Sequence, residues 1–241
     1  MSRVMIDTRM QHDNDVVYYH NDESSSPTLV RIFRRYVQGR VLEVGAGVGF
    51  VTRELAKYAD SVVACEPTPV LCEQLRARVA ELETVEVRQQ TTYELTAESS
   101  ATKFDAIVYF SVLEHIEDDV GEIERASGLL ADGGHLLILV PAHQWLYAKI
   151  DRLSGHYRRY SARSIRSVLD GKFDSIDIRN FDSVGLIPYF VIFRLLRNTS
   201  VSGVSASIYS RIVVRLSYVL YVVSRGKLIG KNLVVIARKR S

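Results

Sequence analysis

The 241-residue sequence is poor in the residues that staple small folds, with two cysteines, five prolines and one tryptophan. Cys65 and Cys72 form neither a CxxC pair nor a metal-binding spacing, which excludes a zinc module and a disulfide scaffold. Long charge-free apolar runs are also missing. The two most apolar stretches, LIPYFVIFRLLR (186–197) and SIYSRIVVRLSYVLYVV (207–223), are interrupted by Arg194, Arg211 and Arg215. A membrane-crossing helix of ~20 residues is therefore excluded. The opening MSRVMIDTRMQHDND lacks the apolar stretch of a secretory signal, so the expected compartment is the cytoplasm.

Acid is absent from one whole region. Residues 1–182 carry 21 Lys and Arg against all 28 Asp and Glu, whereas residues 183–241 carry ten basic side chains and no acid. The net charge of +3 thus hides an acidic body and a basic, apolar C-terminal quarter. Such a surface meets anions or another chain. At 47% apolar and 24% charged the composition is that of a globular chain, long enough to bury a core unaided.

Residues 1–27 are polar and aperiodic and read as an arm or lid ending at Pro27, followed by a short helix over 28–36. Then strands and helices alternate. VLEVG (41–45), SVVACEP (61–67), VEVRQQ (85–90), the start of FDAIVYFSVLEHI (104–116) and HLLILVP (135–141) read as five strands. The glycine-rich turn over 45–49 leads into helical VTRELAKYA. VLCEQLRARVAELE (70–83) and DVGEIERASGLLADGG (119–134) read as helices. This rhythm predicts a parallel sheet covered on both faces. A helix from Ser161 to Leu169 and strands over 173–182 and 232–238 follow. The domain plan is an arm (1–27), a core (28–182), a helical insert (183–231) and a final strand with tail (232–241).

Glu43-Val-Gly45-Ala46-Gly47-Val-Gly49 ends the first strand, where glycines let a ligand approach the main chain and the next helix offers free N–H groups. Dinucleotide enzymes use GxGxxG; here the spacing is GxGxG. Glu66 closes the second strand, placed for two ribose hydroxyls. With these motifs the sequence, over roughly residues 38–141, resembles the class I S-adenosylmethionine (SAM)-dependent methyltransferases. The resemblance implies a Rossmann-like seven-stranded sheet whose last strand is antiparallel, with SAM as donor and S-adenosylhomocysteine as product. It implies cofactor contacts from Glu43, Gly45, Ala46, Gly47, Gly49, Glu66, Pro67, Phe110 and Ser111. The family's Gly-Asp pair after strand three is replaced by Gln90-Thr91, so Thr91 or Thr92 is expected near the adenine.

On the acceptor side, Glu114-His115 ends the LEHI segment, and a neutral histidine can remove a proton from an oxygen or nitrogen nucleophile. His115 is the expected base and Glu114 an acceptor contact; the alternative is that both only terminate the strand. A divalent ion on Glu114, His115, Glu117 and Asp118 competes with solvated carboxylates at a helix start, and no metal is expected. The loop 141–161 resembles a bacterial subgroup with a GHYRRY segment. It offers His143, Trp145, Tyr147, His156, Arg158 and Arg159 for the acceptor. Equally, the two arginines pair with Asp151 or Asp182 and hold a lid.

The insert has four readings: a pocket roof, a homodimer interface, a peripheral membrane face, or a packing layer. Arg194 and Arg197, one turn apart, are expected to share a face. The acceptor expected is a small or lipid-linked metabolite and not nucleic acid, given the acidic body and the lack of an Asn/Asp-Pro-Pro-Tyr-like motif. A nicotinamide oxidoreductase, disfavoured by the glycine spacing, and a non-catalytic scaffold are the rival functions.

Overall fold

The computed structural model describes residues 23–98, 103–199 and 208–240, so most of the expected arm lies outside the described residues. Helix α1 (Ser26–Phe33) runs into a 3-10 turn (Arg34–Tyr36) and precedes β1 (Arg40–Val44), α2 (Phe50–Leu55), β2 (Ser61–Cys65), α3 (Pro69–Val79) and β3 (Val85–Arg88). Next come α4 (Thr92–Glu98), β4 (Phe104–Phe110), a 3-10 turn (Leu113–His115), α5 (Asp119–Leu129) and β5 (Leu130–Pro141). A short turn (Gln144–Leu146), α6 (Lys149–Leu153), α7 (Ala162–Leu169) and β6 (Phe173–Phe181) lead to α8 (Ser183–Tyr189), which continues as a π turn (Phe190–Leu195). A second π turn (Tyr209–Val213) opens α9 (Val214–Ser224), and β7 (Asn232–Lys239) closes the fold.

The seven strands lie in the order β3-β2-β1-β4-β5-β7-β6, with β7 antiparallel to both neighbours. Both faces are buried, as the unbroken apolar runs require. Alternate residues of one strand serve opposite layers. Leu42, Ile107 and Leu136 pack with Leu95, Ile123 and Ile165 of α4, α5 and α7. Val41, Val108 and Leu137 pack with Val30, Leu55 and Val214 of α1, α2 and α9. Strand order reverses between β1 and β4, and the region beyond the carboxyl ends at such a switch point is where open α/β sheets bind ligands.

Several expected boundaries shift. The first helix starts at Ser26, with Pro27 in its first turn, because the Ser25 carbonyl accepts from Thr28 and Leu29 N–H. The third ends at Val79 rather than 83, since the Arg53 guanidinium takes the Arg78 carbonyl and pairs with Glu81. The fifth ends at Leu129, not at the glycines. Leu130 already pairs with Phe104, and residues 131–134 bulge out before His135 resumes the ladder opposite Ala106. Helix α4 was not expected; Thr91 and Glu94 cap it reciprocally, the Thr91 N–H donating to Glu94 Oε2 at 2.7 Å and the Glu94 N–H to Thr91 Oγ1 at 3.3 Å. Ser161 does cap α7, accepting from Ser164 N–H at 3.0 Å. In the insert, Arg197 does not share a face with Arg194. The helical turns end at Leu195, and Arg197 sits beyond them at φ 55°.

Candidate active site

Two turns meet at the switch point. The first follows β1. Gly47 has φ 56°, and a Cβ built on it would meet nothing within 4 Å, so the space on that side is open. Gly45 differs: a Cβ there would strike Val112 at 2.7 Å, so this glycine lets the two turns pack together. Ala46 is buried, its N–H donating to the Cys65 carbonyl at 3.0 Å. Glu66 spans the turn, its Oε2 accepting from Gly47 N–H and its Oε1 from Thr68 N–H, both at 2.9 Å. Half-buried Pro67 lies between these anchor points.

Glu43, one residue from the end of β1, is 2% exposed and accepts a hydrogen bond from Thr52 Oγ1 at 2.6 Å. Burial, reinforced by nearby Glu66, pushes its pKa up to about 8. No cation pairs with it among the described residues, leaving a buried acid whose ionised form lacks a counter-charge. Thr91 is committed to the α4 cap, and Thr92 turns inward to donate to both Glu122 oxygens at 2.6 and 2.8 Å. Tyr109 donates to the same Glu122 carboxylate. Phe110 also faces the core, edge-on to Phe33 with ring centroids 5.4 Å apart.

The second turn follows β4. Ser111 holds φ 54° while its N–H donates to the Leu139 carbonyl, and the 3-10 turn Leu113–His115 comes next. Glu114 is 1% exposed, its Oε2 has no partner, and burial lifts its pKa to about 7. His115 has its pKa lowered to about 3 by desolvation and the nearby His156, and its ring bonds to the Gly155 backbone. The rings of His115 and His156 meet edge to face at 4.6 Å. Glu114, His115 and His156 each offer one ligand atom, all within 4.8 Å of one another, a spacing that one divalent cation can bridge. The acids Glu117 and Asp118 do not join this cluster: both are exposed, and Asp118 caps α5 through Gly121 N–H at 2.9 Å.

The GHYRRY segment is bound mainly to the protein itself. Asp151, 1% exposed, accepts from Arg159 Nε at 2.8 Å, from Tyr189 Oη at 2.8 Å and from Ala148 N–H, and lies 3.0 Å from His156 Nδ1. These partners hold its carboxyl well below the usual range even though burial opposes this. Arg159 also stacks over the Tyr189 ring, while Arg158 pairs with Asp119 at 2.7 Å and caps the Glu117 carbonyl. Tyr160 donates to Asp119 Oδ2, and Tyr147 to the His156 carbonyl. Asp182 instead binds Gly185 N–H, Ser217, Tyr209 and buried Lys231. The loop is thus fastened to the 3-10 turn on one side and to α8 on the other. His143 (φ 64°) has no partner for Nε2 and stacks on Trp145, which touches Phe190. Asp119 and Tyr189, which complete this network, carry no local signal in the sequence.

Comparison with known proteins agrees with this geometry. Residues 20–172 match the family model described as a methyltransferase domain. A ubiquinone biosynthesis O-methyltransferase of Xanthomonas axonopodis is 34% identical over 102 residues, 41% of each chain. One of Alkalilimnicola ehrlichii is 28% identical over 98 residues. That match spans 41% of this chain and 40% of the relative. Among solved structures, a SAM-dependent methyltransferase from Archaeoglobus fulgidus superposes with TM-score 0.60 at 14% identity, over 92% of this chain and 96% of the other. The DhpI–SAH complex superposes with TM-score 0.58 at 18% identity, over 96% and 91%. With the glycine turn and LEHI turn meeting at one switch point of a seven-stranded sheet, the chain belongs to the methyltransferase-domain family.

Proposed function

We propose that the chain transfers a methyl group to an oxygen or nitrogen of a small or lipid-linked metabolite. The observation that carries this reading is the facing of the Gly45–Gly49 turn and the Leu113–His115 turn across one switch point. The residues suit SAM: Gly47 leaves open space, Glu66 lines the turn, and Glu43 is a buried acid awaiting a cation. When bound, SAM supplies an electrophilic methyl group on a sulfonium sulfur. In this reading Glu43 accepts the cofactor's ammonium, Glu66 the ribose hydroxyls, and the backbone at Gly47 lies against the methionyl part.

His115 is the proposed base. Burial and the nearby His156 keep the ring proton-free but also weaken it as a base, so in this reading its basicity depends on the charge of the adjacent Glu114 carboxylate, which offsets the imidazolium formed. His143, Trp145, Tyr147, His156, Arg158 and Arg159 frame the acceptor side, with Arg159 and His156 acting through Asp151 as positioning residues. Most of the rate then comes from alignment of acceptor, methyl and sulfur. The insert 183–231 contacts a membrane surface in the same reading, a homodimer through it being the competing arrangement. The test is calorimetric titration with SAM and, separately, NADH, followed by methyl-labelled SAM incubated with aqueous and organic extracts. SAM binding with label in a small or lipid-soluble product is expected. Binding of NADH alone, or SAM binding without transfer to any fraction, overturns the proposal.

A further inference from the structure

Both insert helices expose an aliphatic stripe, although Val214, Tyr209, Tyr218 and Tyr221 also pack inward on the core. Over 208–223 the exposed positions are 208, 211, 212, 215, 216, 219, 222 and 223, spaced by three and four as one helical stripe. Six of them are aliphatic, Ile208, Ile212, Leu216, Val219, Val222 and Val223, and the other two are Arg211 and Arg215. The polar groups point inward: Ser210 is buried, and Ser217 and Tyr209 donate to Asp182. Helix α8 with its π turn repeats the pattern, exposing Ile187, Phe190, Val191 and Leu195 beside Arg194, while Gly185 N–H and Tyr189 face inward to Asp182 and Asp151. The helices touch, and the inner sides of both close on Asp182, so the outward stripes lie side by side. Trp145, 51% exposed against Phe190, extends the apolar area.

The charge on this face has one sign. The charged residues of the two stripes, Arg194, Arg211 and Arg215, are all exposed cations, and no acid occurs from residue 183 onward. Lys231 is buried against Asp182. Among the described residues no helix is long and apolar enough to cross a membrane. A second copy of this chain would set cations against cations across a two-fold axis. An anionic bilayer offers the complementary charge together with an apolar layer beneath it.

We propose that this face docks onto the headgroup region of an anionic lipid bilayer, both helices in the plane of the membrane, aliphatic stripes down and arginines at the phosphates. Trp145 stacks on His143, so the docked face borders the acceptor side of the candidate site. The docking rests on and deepens the membrane contact given to the insert in that reading; it needs no cofactor, so its failure and the failure of methyl transfer are distinguishable. The test is flotation of the full chain with phosphatidylcholine vesicles, with and without phosphatidylglycerol, at low and high salt. Flotation only with phosphatidylglycerol, weakened by salt, is expected. Arg211→Glu with Arg215→Glu should weaken it by about 5-fold or more per arginine, and Ile212→Asp with Val219→Asp should abolish it. These positions face outward, so circular dichroism and the SAM titration should remain those of the wild type. Failure of the wild type to float at low salt overturns the proposal. So does flotation unchanged in both double variants, or light scattering that reveals a dimer through this face without vesicle binding.

Discussion

Binding of SAM is expected to drive a proton off Glu43. This carboxyl is enclosed, accepts one hydroxyl bond from Thr52, and has its pKa raised to about 8 by burial and by Glu66. At pH 7 such a group is ionised in roughly one molecule in ten. If the ionised form receives the cofactor's ammonium, apparent affinity at pH 7 lies ~10-fold, or about 1.4 kcal/mol, below its limiting value. Calorimetry at pH 7 in two buffers of different ionisation heat should then count a net ~0.8 proton released per cofactor, falling to about zero at pH 8, where a cofactor amino group of pKa ~8 takes up as much as Glu43 releases. Free α-amino groups lose their own proton near pH ~8, so affinity should fall again on the alkaline side. Glu43→Gln should remove both the release and the acid limb. Without cofactor the sign is opposite. The folded chain keeps a proton that the unfolded chain has lost, so stability should decline as pH rises from 4.5 to about 8. Equal binding heats in both buffers at pH 7 would refute the assignment of Glu43 to the ammonium.

Glu66→Ala should weaken SAM binding ~10–150-fold, since bonds to a charged acceptor contribute about 1.5–3 kcal/mol; unchanged affinity in a folded variant removes Glu66 from the ribose. Gly47→Ala should cost ~1–2 kcal/mol of stability, for its left-handed backbone alone, yet lower SAM affinity further through its open side. Gly45→Ala should chiefly lower the melting temperature, its Cβ striking Val112; the opposite ranking in thermal melts and titrations refutes the division of roles. His115→Ala should reduce turnover ~10²-fold with SAM affinity retained, and kcat should show no acid limb near pH ~6.5 that depends on His115. Asp151→Asn should destabilise the fold by ~3–5 kcal/mol, the cost of stranding a buried charge such as Arg159, as read by denaturant melts.

The sheet and glycine turn were legible because they rest on local rules. A short apolar run such as HLLILVP, bounded by glycines and a proline, reads as a buried strand, and GAGVG after such a run reads as a tight turn into a helix. Helix starts were legible where a cap is spelled out, as at Ser161, and the Thr91–Glu94 cap of α4 carries the same spacing. What stayed hidden depends on distance in sequence. Nothing near Arg158 announces Asp119, and nothing near Asp151 announces Tyr189, 38 residues away. The meeting of His115 with His156 likewise depends on how the loop after β5 folds back over the LEHI turn, with Tyr157 N–H held by the Glu114 carbonyl. The register of β5 was missed because glycines end helices and form bulges equally well, and only pairing with β4 decides.

Strand β7 lies between β5 and β6, although about fifty residues separate it from β6 along the chain. A ribosome therefore produces β6 and both insert helices before the strand that joins β6 to the sheet exists. Until then β5 presents an open, apolar edge, and the β6 backbone has no ladder to enter. The final closure is a long-range event and should be the slow step of maturation. Chaperone demand should peak between the emergence of β6 and that of β7, and truncations that remove β7 should leave both flanking strands without their shared partner.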